Sequence, residues 1–343
     1  MPVRTADVDY PLPVQRIAQW ARPRGTSRLL VLNRRGTGTR AARFSELPAL
    51  LAPGDLLVLN EVRVIPARVA ARRPGGGAAE LLLVRPLADG DWEVLARPAA
   101  RLRPGVPLRL KQGVAVPQGR LGGGRLRVRF EPPLAEAALD GVGEVPLPPY
   151  IKRPSGVAAT DRVRYQTVYA RQGRAVAAPT AGLHFTPELL EECTARGLET
   201  CRLTLHVGPA TFKPVVVEDP RQHVLDSEDY EIPRGTAAAL NAALRAGRRL
   251  VCVGTTTCRA VEHAVAAGGG RVRAGGGRAD LCILPGYRFR ATGALLTNFH
   301  LPRSTLLMLV AALAGRERVL AAYSDALAGG FRFYSFGDAM LVL

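Results

Sequence analysis

Cysteine is scarce in this sequence, and no pair of cysteines has the spacing of a disulfide framework or a zinc site. The five cysteines are odd in number and contain no C-x-x-C pair, and Cys252 and Cys282 lie within apolar runs. A buried free thiol behaves as a small hydrophobic group. The histidines likewise match no H-E-x-x-H pattern. We therefore expect no metal site and a reducing, cytoplasmic environment.

Several common signatures of enzymes and membrane proteins are also missing. No G-x-G-x-x-G follows a predicted strand, and neither G-x-x-x-x-G-K-[ST] nor G-x-S-x-G occurs. This disfavours a Rossmann dinucleotide site, a P-loop and the commonest serine-hydrolase site. No signal peptide opens the chain, and its most apolar run, at 301–313, contains Arg303 and is too short to cross a bilayer. The sequence predicts a soluble protein.

Lysine is nearly absent although the chain is strongly basic. Lysine and arginine together number 47 against 29 acidic residues, giving a formal net charge of +18, and only Lys111, Lys152 and Lys213 are lysines. The arginine excess favours a polyanionic partner. A GC-rich coding bias would produce the same pattern, so the charge alone identifies no partner.

The chain of 343 residues is long enough for two domains. Between about Val69 and Val145, short β-rich runs such as ELLLVRPL and GRLRVRFE alternate with Gly and Pro clusters every eight to twelve residues, which is typical of a small antiparallel barrel. Strands alternate with helices elsewhere. We predict an α/β catalytic domain formed by residues 1–66 and 150–343, interrupted by an inserted all-β, barrel-like domain at 67–149, with a site at the carboxyl ends of parallel strands.

Local patterns predict several elements around that site. The apolar run LCIL at 281–284 and the run at 164–169 are interpreted as strands, and Pro302 is predicted to begin a buried helix. Thr186 is the predicted N-cap of another helix, with Pro187 in its first turn. A strand end carrying Asn298 and His300, followed by a helix N-terminus, is where an anionic or electron-rich ligand is expected.

Three histidines occupy similar positions along the chain. His184, His206 and His300 each follow a small-residue segment or a strand end that carries Thr or Asn. The hydroxyl cluster at 254–257 lies at another strand-to-helix junction, where it would bind ribose or carboxylate oxygens, or simply cap the helix. A structural, hydrogen-bonded role remains the alternative for each histidine taken singly.

At these residues the chain resembles a known family, the S-adenosylmethionine:tRNA ribosyltransferase-isomerases of queuosine biosynthesis. The similar motifs run nearly end to end, and the longest are PTAGLHF at 179–185, TNFHLPRSTLLMLV at 297–310, GEVPLPPYIKR at 143–153 and FRFYSFGDAML at 331–341. Members of the family have an α/β domain interrupted by a β-barrel, in agreement with the periodicity above.

The resemblance implies transfer and isomerisation of the ribosyl group of S-adenosylmethionine onto 7-aminomethyl-7-deazaguanine in the tRNA anticodon. Epoxyqueuosine tRNA forms, and adenine and methionine leave. S-adenosylmethionine is then a co-substrate, no metal or further cofactor is needed, and tRNA is the partner. Apart from the resemblance, we expect the protein to be cytoplasmic and monomeric. His184, His206 and His300 form the pool of acid/base candidates. The residues implied to line the substrate sites are Arg63, Thr180, Thr211, Glu228, Thr255, Arg259, Tyr287, Asn298 and Ser304.

The chain also departs from the family pattern. Glu61 and Val62 stand where the family usually has Asp and Thr, and Asp226 stands where a second His is usual. If Asp226 occupied a proton-transfer position, its lower reference pKa would leave it ionised at neutral pH, so it would be a poorer proton donor there than histidine. These departures leave open a transferase that uses S-adenosylmethionine on a small deazapurine or nucleoside. The net charge of +18 leaves open a non-catalytic tRNA-binding protein.

Overall fold

The computed structural model describes residues 4–36, 38–154, 156–208 and 215–343. In these ranges the chain forms the strands β1 Arg28–Leu32, β2 Thr39–Arg43, β3 Leu56–Asn60, β4 Val62–Val64, β5 Arg68–Arg72, β6 Ala78–Pro86, β7 Trp92–Arg97, β8 Leu108–Arg109, β9 Val114–Gly122, β10 Arg125–Glu131, β11 Gly143–Glu144, β12 Gln172–Ala175, β13 Glu199–Leu205, β14 Glu228–Ile232, β15 Leu250–Val253, β16 Gly275–Ala279, β17 Thr292–Asn298 and β18 Ala339–Val342. The α-helices are α1 Leu47–Leu50, α2 Leu139–Val142, α3 Ala159–Arg164, α4 Pro187–Ala195, α5 Arg234–Arg245, α6 Thr255–Ala267, α7 Thr305–Ala314 and α8 Arg316–Ala328.

Nine of the described strands form one mixed sheet in the order β16-β14-β13-β3-β15-β17-β18-β1-β2. Its centre is parallel: β13, β3, β15 and β17 run in the same direction. The outer pairs β17–β18, β1–β2, β13–β14 and β14–β16 are antiparallel. The carboxyl ends of the four central strands therefore meet at one edge of the sheet, where α/β proteins place their ligands.

The central strands are buried on both faces because helices cover both sides of the sheet. Along β3, Leu56 and Val58 pack into a core with residues of α5, α6, α7 and α8, whereas Leu57 and Leu59 pack against α1 and α4. All four leucine and valine side chains are fully buried. A strand enclosed in this way reads as a continuous apolar run rather than an alternating one.

A closed antiparallel barrel is inserted between β4 and β12. Its ring runs β5-β6-β7-β10-β9-β8 and closes by pairing of β8 with β5, while β11 extends from β5. Trp92 and Phe130 fill its interior, and the Trp92 indole donates to the Leu134 carbonyl over 3.1 Å. The predicted fold class, an α/β domain with an inserted all-β barrel, is therefore confirmed.

The predicted start of the helix at Pro302 was wrong. Pro302 and Arg303 form a turn in which Arg303 has a φ of 56°, and the helix α7 begins at Thr305. Ser304 is its N-cap, because the Ser304 hydroxyl accepts from the Leu307 amide over 3.2 Å. A hydroxyl that binds the first free amides fixes a helix start more strongly than a proline that merely tolerates it. The predicted cap at Thr186 is confirmed.

Two predicted strands are also absent from the described structure. The run at 281–284 has no strand partner, and the Leu281 carbonyl instead accepts from Arg259. At 164–169, α3 ends at Arg164 and a turn follows. Asp161 accepts from the Ala158 amide over 3.0 Å and closes the first turn of α3, which is a helix-start signal that the apolar spacing alone did not contain.

We expect the buried side chain of Asn60 to hold the end of β3 to β13. Its Nδ2 donates to the Leu205 carbonyl over 3.1 Å, and its Oδ1 accepts from the amides of Leu205 and Val62 over 3.0 and 3.1 Å. Asn60→Ala leaves three buried backbone groups without partners and should lower the free energy of unfolding by about 3 kcal/mol. Chemical denaturation measures the loss. Asn33→Ala, at an exposed asparagine, should change it by less than about 0.5 kcal/mol, and equal effects of the two variants would contradict the assignment.

Candidate active site

A pocket opens at the carboxyl edge of the parallel strands, enclosing about 690 Å³ of space that includes its mouth. The ends of β15 and β17, the segment before α4, the starts of α6 and α7 and the loop before β18 all contribute to it. Its lining is Tyr150, Ala177, Ala178, Pro179, Thr180, Ala181, Val207, Gly254, Thr255, Thr256, Thr297, Asn298, Phe299, His300, Leu301, Ser304, Leu306, Tyr334 and Ser335.

Two helix N-termini face this pocket. After β15, Gly254 adopts a φ of 95°, which an L-side chain rarely allows, and α6 begins at the next residue. Thr255 and Thr256 line the pocket, while the Thr257 hydroxyl turns back and donates to the Val253 carbonyl over 2.7 Å. Ser304 caps α7 on another side. Free amides and the positive ends of two helix dipoles suit an electron-rich ligand.

His300 is the one histidine of the three candidates in the pocket lining. Its ring Nε2 lies 2.7 Å from the Thr297 hydroxyl. Its backbone is fixed as well, because the amide donates to the Tyr323 hydroxyl over 3.0 Å and the carbonyl accepts from the Tyr10 hydroxyl over 2.5 Å. Burial lowers the pKa of His300 to about 3, so the imidazole is neutral at pH 7.

The Asn298 amide has a defined orientation. The Tyr334 carbonyl, which can only accept, lies 3.0 Å from Asn298 Nδ2, and the same nitrogen lies 3.2 Å from Nε2 of His184. Both N–H groups of the amide are thus used, and the His184 Nε2 is the acceptor. His184 then carries its proton on Nδ1 and donates to the Ser27 hydroxyl over 3.0 Å.

This orientation leaves one acceptor for a ligand. Asn298 Oδ1 is buried and has no partner among the described residues, and Asn298 lines the pocket. Burial lowers the pKa of His184 to about 4. The ring is therefore neutral at physiological pH and keeps its lone pair on Nε2, which holds the amide in place.

Tyr150 and Tyr334 form an aromatic wall of the pocket that the sequence did not predict. Their ring centroids are 4.4 Å apart, and the Tyr150 hydroxyl is 2.6 Å from the Ser335 hydroxyl. Tyr334 has a φ of 72°, which is strained for a residue with a side chain, and its hydroxyl has no partner within the described structure. Both tyrosines fall within the motifs quoted above, but neither shows a periodicity that marks it.

Five of the predicted site residues converge on this pocket: Thr180, Thr255, Asn298, His300 and Ser304. His184 lies directly behind it, bonded to Asn298. Residues that are distant in sequence thus form one site.

The other predicted residues lie elsewhere. His206 follows β13, and its Nδ1 is 3.0 Å from the Arg174 amide, outside the pocket lining. Arg63 is exposed on β4. Thr211 lies outside the described residues.

Three further predicted residues make structural contacts away from the lining. Glu228 accepts from an Arg259 guanidinium nitrogen over 2.6 Å in a buried ion pair and from the Gly208 amide over 3.1 Å. Tyr287 donates to the fully buried Glu262 carboxylate over 3.2 Å. These contacts fix the segments that follow β13 and precede β17.

The residues at which the chain departs from the family pattern also lie outside the lining. Asp226 pairs with Arg125 of the barrel strand β10 at 2.6 Å, and Arg125 in turn pairs with Glu93 at 2.5 Å. Glu61 and Val62 are buried beside the end of β3. Asp226 therefore links the barrel to the α/β domain.

The described ranges contain neither a candidate metal site nor a candidate membrane span. No group of three or more His, Cys, Asp or Glu residues there is placed to hold a metal ion. None of the helices in that part of the chain combines the length and the apolar character needed to cross a bilayer.

The neutral, buried histidines predict a pH-dependent stability. In the unfolded chain a histidine has a pKa near 6.5, whereas burial lowers the pKa of His184 to about 4. Between pH 4 and pH 6.5, the unfolded state therefore binds more protons than the folded state. The contribution of His184 to the free energy of unfolding is of order 3 kcal/mol. It is complete above about pH 6.5 and is lost as the pH falls towards 4.

His184→Gln should flatten the pH dependence of the unfolding free energy between pH 6.5 and 4 by the equivalent of about one proton. Chemical denaturation at a series of pH values measures this slope. Asn60→Ala, which removes no titrating group, is the control: it should lower the curve without changing its slope. An unchanged slope in His184→Gln would show that folding does not lower the pKa of this ring.

The chain matches known proteins over nearly its full length. The profile of the family described as "Queuosine biosynthesis protein" matches residues 5–342. The S-adenosylmethionine:tRNA ribosyltransferase-isomerase of Thermus thermophilus is 53% identical over 347 residues, 98% of each chain. The protein of the same name from Moorella thermoacetica is 48% identical, covering 99% of this chain and all of that one.

A solved structure is similar in both sequence and fold. The crystal structure of S-adenosylmethionine tRNA ribosyltransferase from Thermotoga maritima has a TM-score of 0.56 at 36% identity, covering 98% of this chain and 100% of the other. Because the family profile, the relatives aligned over nearly the whole chain and the solved structure agree, the chain belongs to the queuosine biosynthesis protein family.

Proposed function

We propose that this protein is an S-adenosylmethionine:tRNA ribosyltransferase-isomerase. It transfers and isomerises the ribosyl group of S-adenosylmethionine onto 7-aminomethyl-7-deazaguanine in the tRNA anticodon, and releases adenine and methionine. Relatives that carry this name align over 98% or more of the chain. The observation that carries the proposal for this chain is the single pocket where Thr255, Asn298 and His300 meet.

The pocket has the chemistry of a nucleoside site. Tyr150 and Tyr334 offer aromatic surface to a purine or deazapurine. Asn298 Oδ1, buried without a partner in the described structure, accepts a hydrogen bond from an exocyclic amino group. The hydroxyls of Thr255 and Thr256 and the α6 N-terminus suit ribose and carboxylate oxygens.

His300 is the proposed proton-transfer residue. The reaction requires a base to remove an acidic proton next to the sulfonium and an acid to assist the departure of adenine. A neutral imidazole takes the first proton. Burial lowers the pKa of His300 to about 3, which makes the imidazolium a strong acid towards the leaving adenine and the neutral imidazole a weak base. The proposed role therefore rests on the position of His300 in the pocket lining.

His184 is a positioning residue in this proposal. Its Nε2 holds the Asn298 amide, so the Oδ1 atom stays directed to the ligand. His206, which bonds the backbone of Arg174 outside the pocket, takes no part in proton transfer. Four other predicted residues do not act on the reacting atoms in this proposal. They hold neighbouring segments in place or contact the tRNA: Glu228, Arg259, Tyr287 and Arg63.

The remaining expectations belong to the same proposal. The enzyme needs no metal and no cofactor beyond the co-substrate S-adenosylmethionine, and it acts on tRNA in the cytoplasm as a monomer. Residues 1–66 and 150–343 form the catalytic domain and residues 67–149 the barrel. The small-acceptor alternative rested on Glu61, Val62 and Asp226, none of which lines the pocket. The non-catalytic alternative rested on the net charge, and the end-to-end relatives named as ribosyltransferase-isomerases do not favour it.

His300→Ala should reduce adenine release from S-adenosylmethionine and tRNA carrying the deazaguanine precursor by about 100-fold or more, because it removes the proton-transfer group. Chromatography of released adenine measures turnover, and calorimetry measures binding of S-adenosylmethionine, which should fall much less.

His206→Ala is the matched control, since it removes the same side chain from another strand end outside the pocket. It should keep turnover within about tenfold of the native rate. Equal losses in the two variants would contradict the role of His300. If the native protein releases no adenine in this assay, the proposed function itself is wrong.

A further inference from the structure

A second, smaller cavity lies behind the pocket and is lined by three arginines. It encloses about 290 Å³ of space including its opening, and Arg22, Arg24 and Arg164 surround it. His184 and Ser27 also line it, and Ser335 lines both cavities. The two cavities are therefore neighbours, separated by the His184–Asn298 pair.

The positive charge at this cavity is poorly compensated. Within the described residues, no carboxylate forms an ion pair with Arg24 or Arg164, and the Asp338 carboxylate lies 3.8 Å from Arg22. Asp338 already accepts from the amides of Arg28 and Arg332 over 3.0 and 2.8 Å. Burial, and then the charge of Arg164, lower the pKa of Arg24. Like charges held together in this way favour an anionic ligand.

Two of the three guanidinium groups are available to a ligand. Arg24 donates to the carbonyls of Leu183, Val163 and Gln166, so it is fixed by the fold. The side chains of Arg22 and Arg164, by contrast, donate no hydrogen bond to any residue in the described part of the chain. Planar guanidinium donors match phosphate oxygens in pairs.

An exposed tryptophan, Trp20, directly precedes Ala21 and Arg22, which line this cavity. The Trp20 side chain is 57% exposed. One face of its ring is covered by the Arg153 guanidinium, 3.7 Å from the ring centroid, and the Trp20 carbonyl accepts from Arg332 over 3.1 Å. An open indole face beside several cations is the combination that binds single-stranded nucleic acid, since bases stack on the ring and phosphates bind the arginines.

We propose that the surface formed by Trp20, Arg22, Arg24 and Arg164 binds the tRNA strand next to the nucleotide held in the pocket. Arg22 and Arg164 contact a backbone phosphate, and Trp20 stacks on an adjacent unpaired base. This inference rests on the proposed function, which brings a tRNA anticodon loop to the neighbouring pocket. The residues are positioning and specificity groups, because none of them contacts the reacting atoms.

The charge test compares two double variants. Arg22→Gln with Arg164→Gln should raise the Kd for the precursor tRNA about tenfold or more, and should reduce the slope of log K against log salt by about 0.7 for each lost contact. The control is Arg196→Gln with Arg245→Gln. It removes the same charge from exposed positions before β13 and β15, at the opposite edge of the sheet, and should change both quantities little.

The stacking test uses Trp20. The sequence has two tryptophans, and Trp92 is buried in the barrel. Binding of tRNA should therefore quench fluorescence in the native protein and leave it almost unchanged in Trp20→Phe. Trp20→Ala should weaken tRNA binding about fivefold to tenfold, and Trp20→Phe should restore most of the affinity because it keeps an aromatic face.

Three results would overturn the inference. One is equal tRNA affinity in the two double variants. Another is unaltered quenching in Trp20→Phe. The third is unchanged tRNA binding together with lost binding of S-adenosylmethionine, which would assign the anion site to the methionyl carboxylate. Adenine release by the native protein, measured in parallel, separates these outcomes from a failure of the proposed function. If the native protein is active and the variants bind tRNA normally, only the proposed tRNA surface is wrong.

Discussion

The hydrogen bond from Asn298 Nδ2 to the Tyr334 carbonyl is the contact on which the site depends. It joins the carboxyl end of β17 to the loop before β18. Because a carbonyl can only accept, this bond fixes which end of the amide faces the loop, and the His184 Nε2 takes the second N–H. The orientation of Oδ1 in the pocket follows from these two acceptors, without any ligand to impose it.

Burial decides the protonation of the groups around this amide. Removing an imidazole from water disfavours its charged form, and burial lowers the pKa of both His184 and His300 well below the usual histidine range. A charged His184 would have no lone pair on Nε2 and would lose its bond to Asn298. Burial thus protects the hydrogen-bond pattern at neutral pH, while the cationic residues Arg22 and Arg164 line the neighbouring cavity.

The sequence was sufficient for those parts of the molecule in which local pattern and tertiary position coincide. Continuous apolar runs followed by polar residues correctly predicted that Thr255 follows one strand, β15, and that Asn298 and His300 lie at the end of its parallel neighbour β17. Regular β-runs with Gly and Pro correctly predicted the barrel. The aromatic wall was not predictable in this way, because Tyr334 adopts a φ of 72° in a loop and no periodicity describes a loop.

Position also decides what the unusual residues of this chain mean. A charge at 226 suggests altered proton transfer when only the linear motif is considered. In three dimensions Asp226 binds Arg125, which also binds Glu93, so the carboxylate completes a link between the barrel and the α/β domain. The same reasoning applies to Trp20. One face of its ring is covered by Arg153, which is more than a hundred residues away in the sequence. Residue type limits the possible chemistry of a side chain, and the fold selects among those possibilities by what it places within 4 Å.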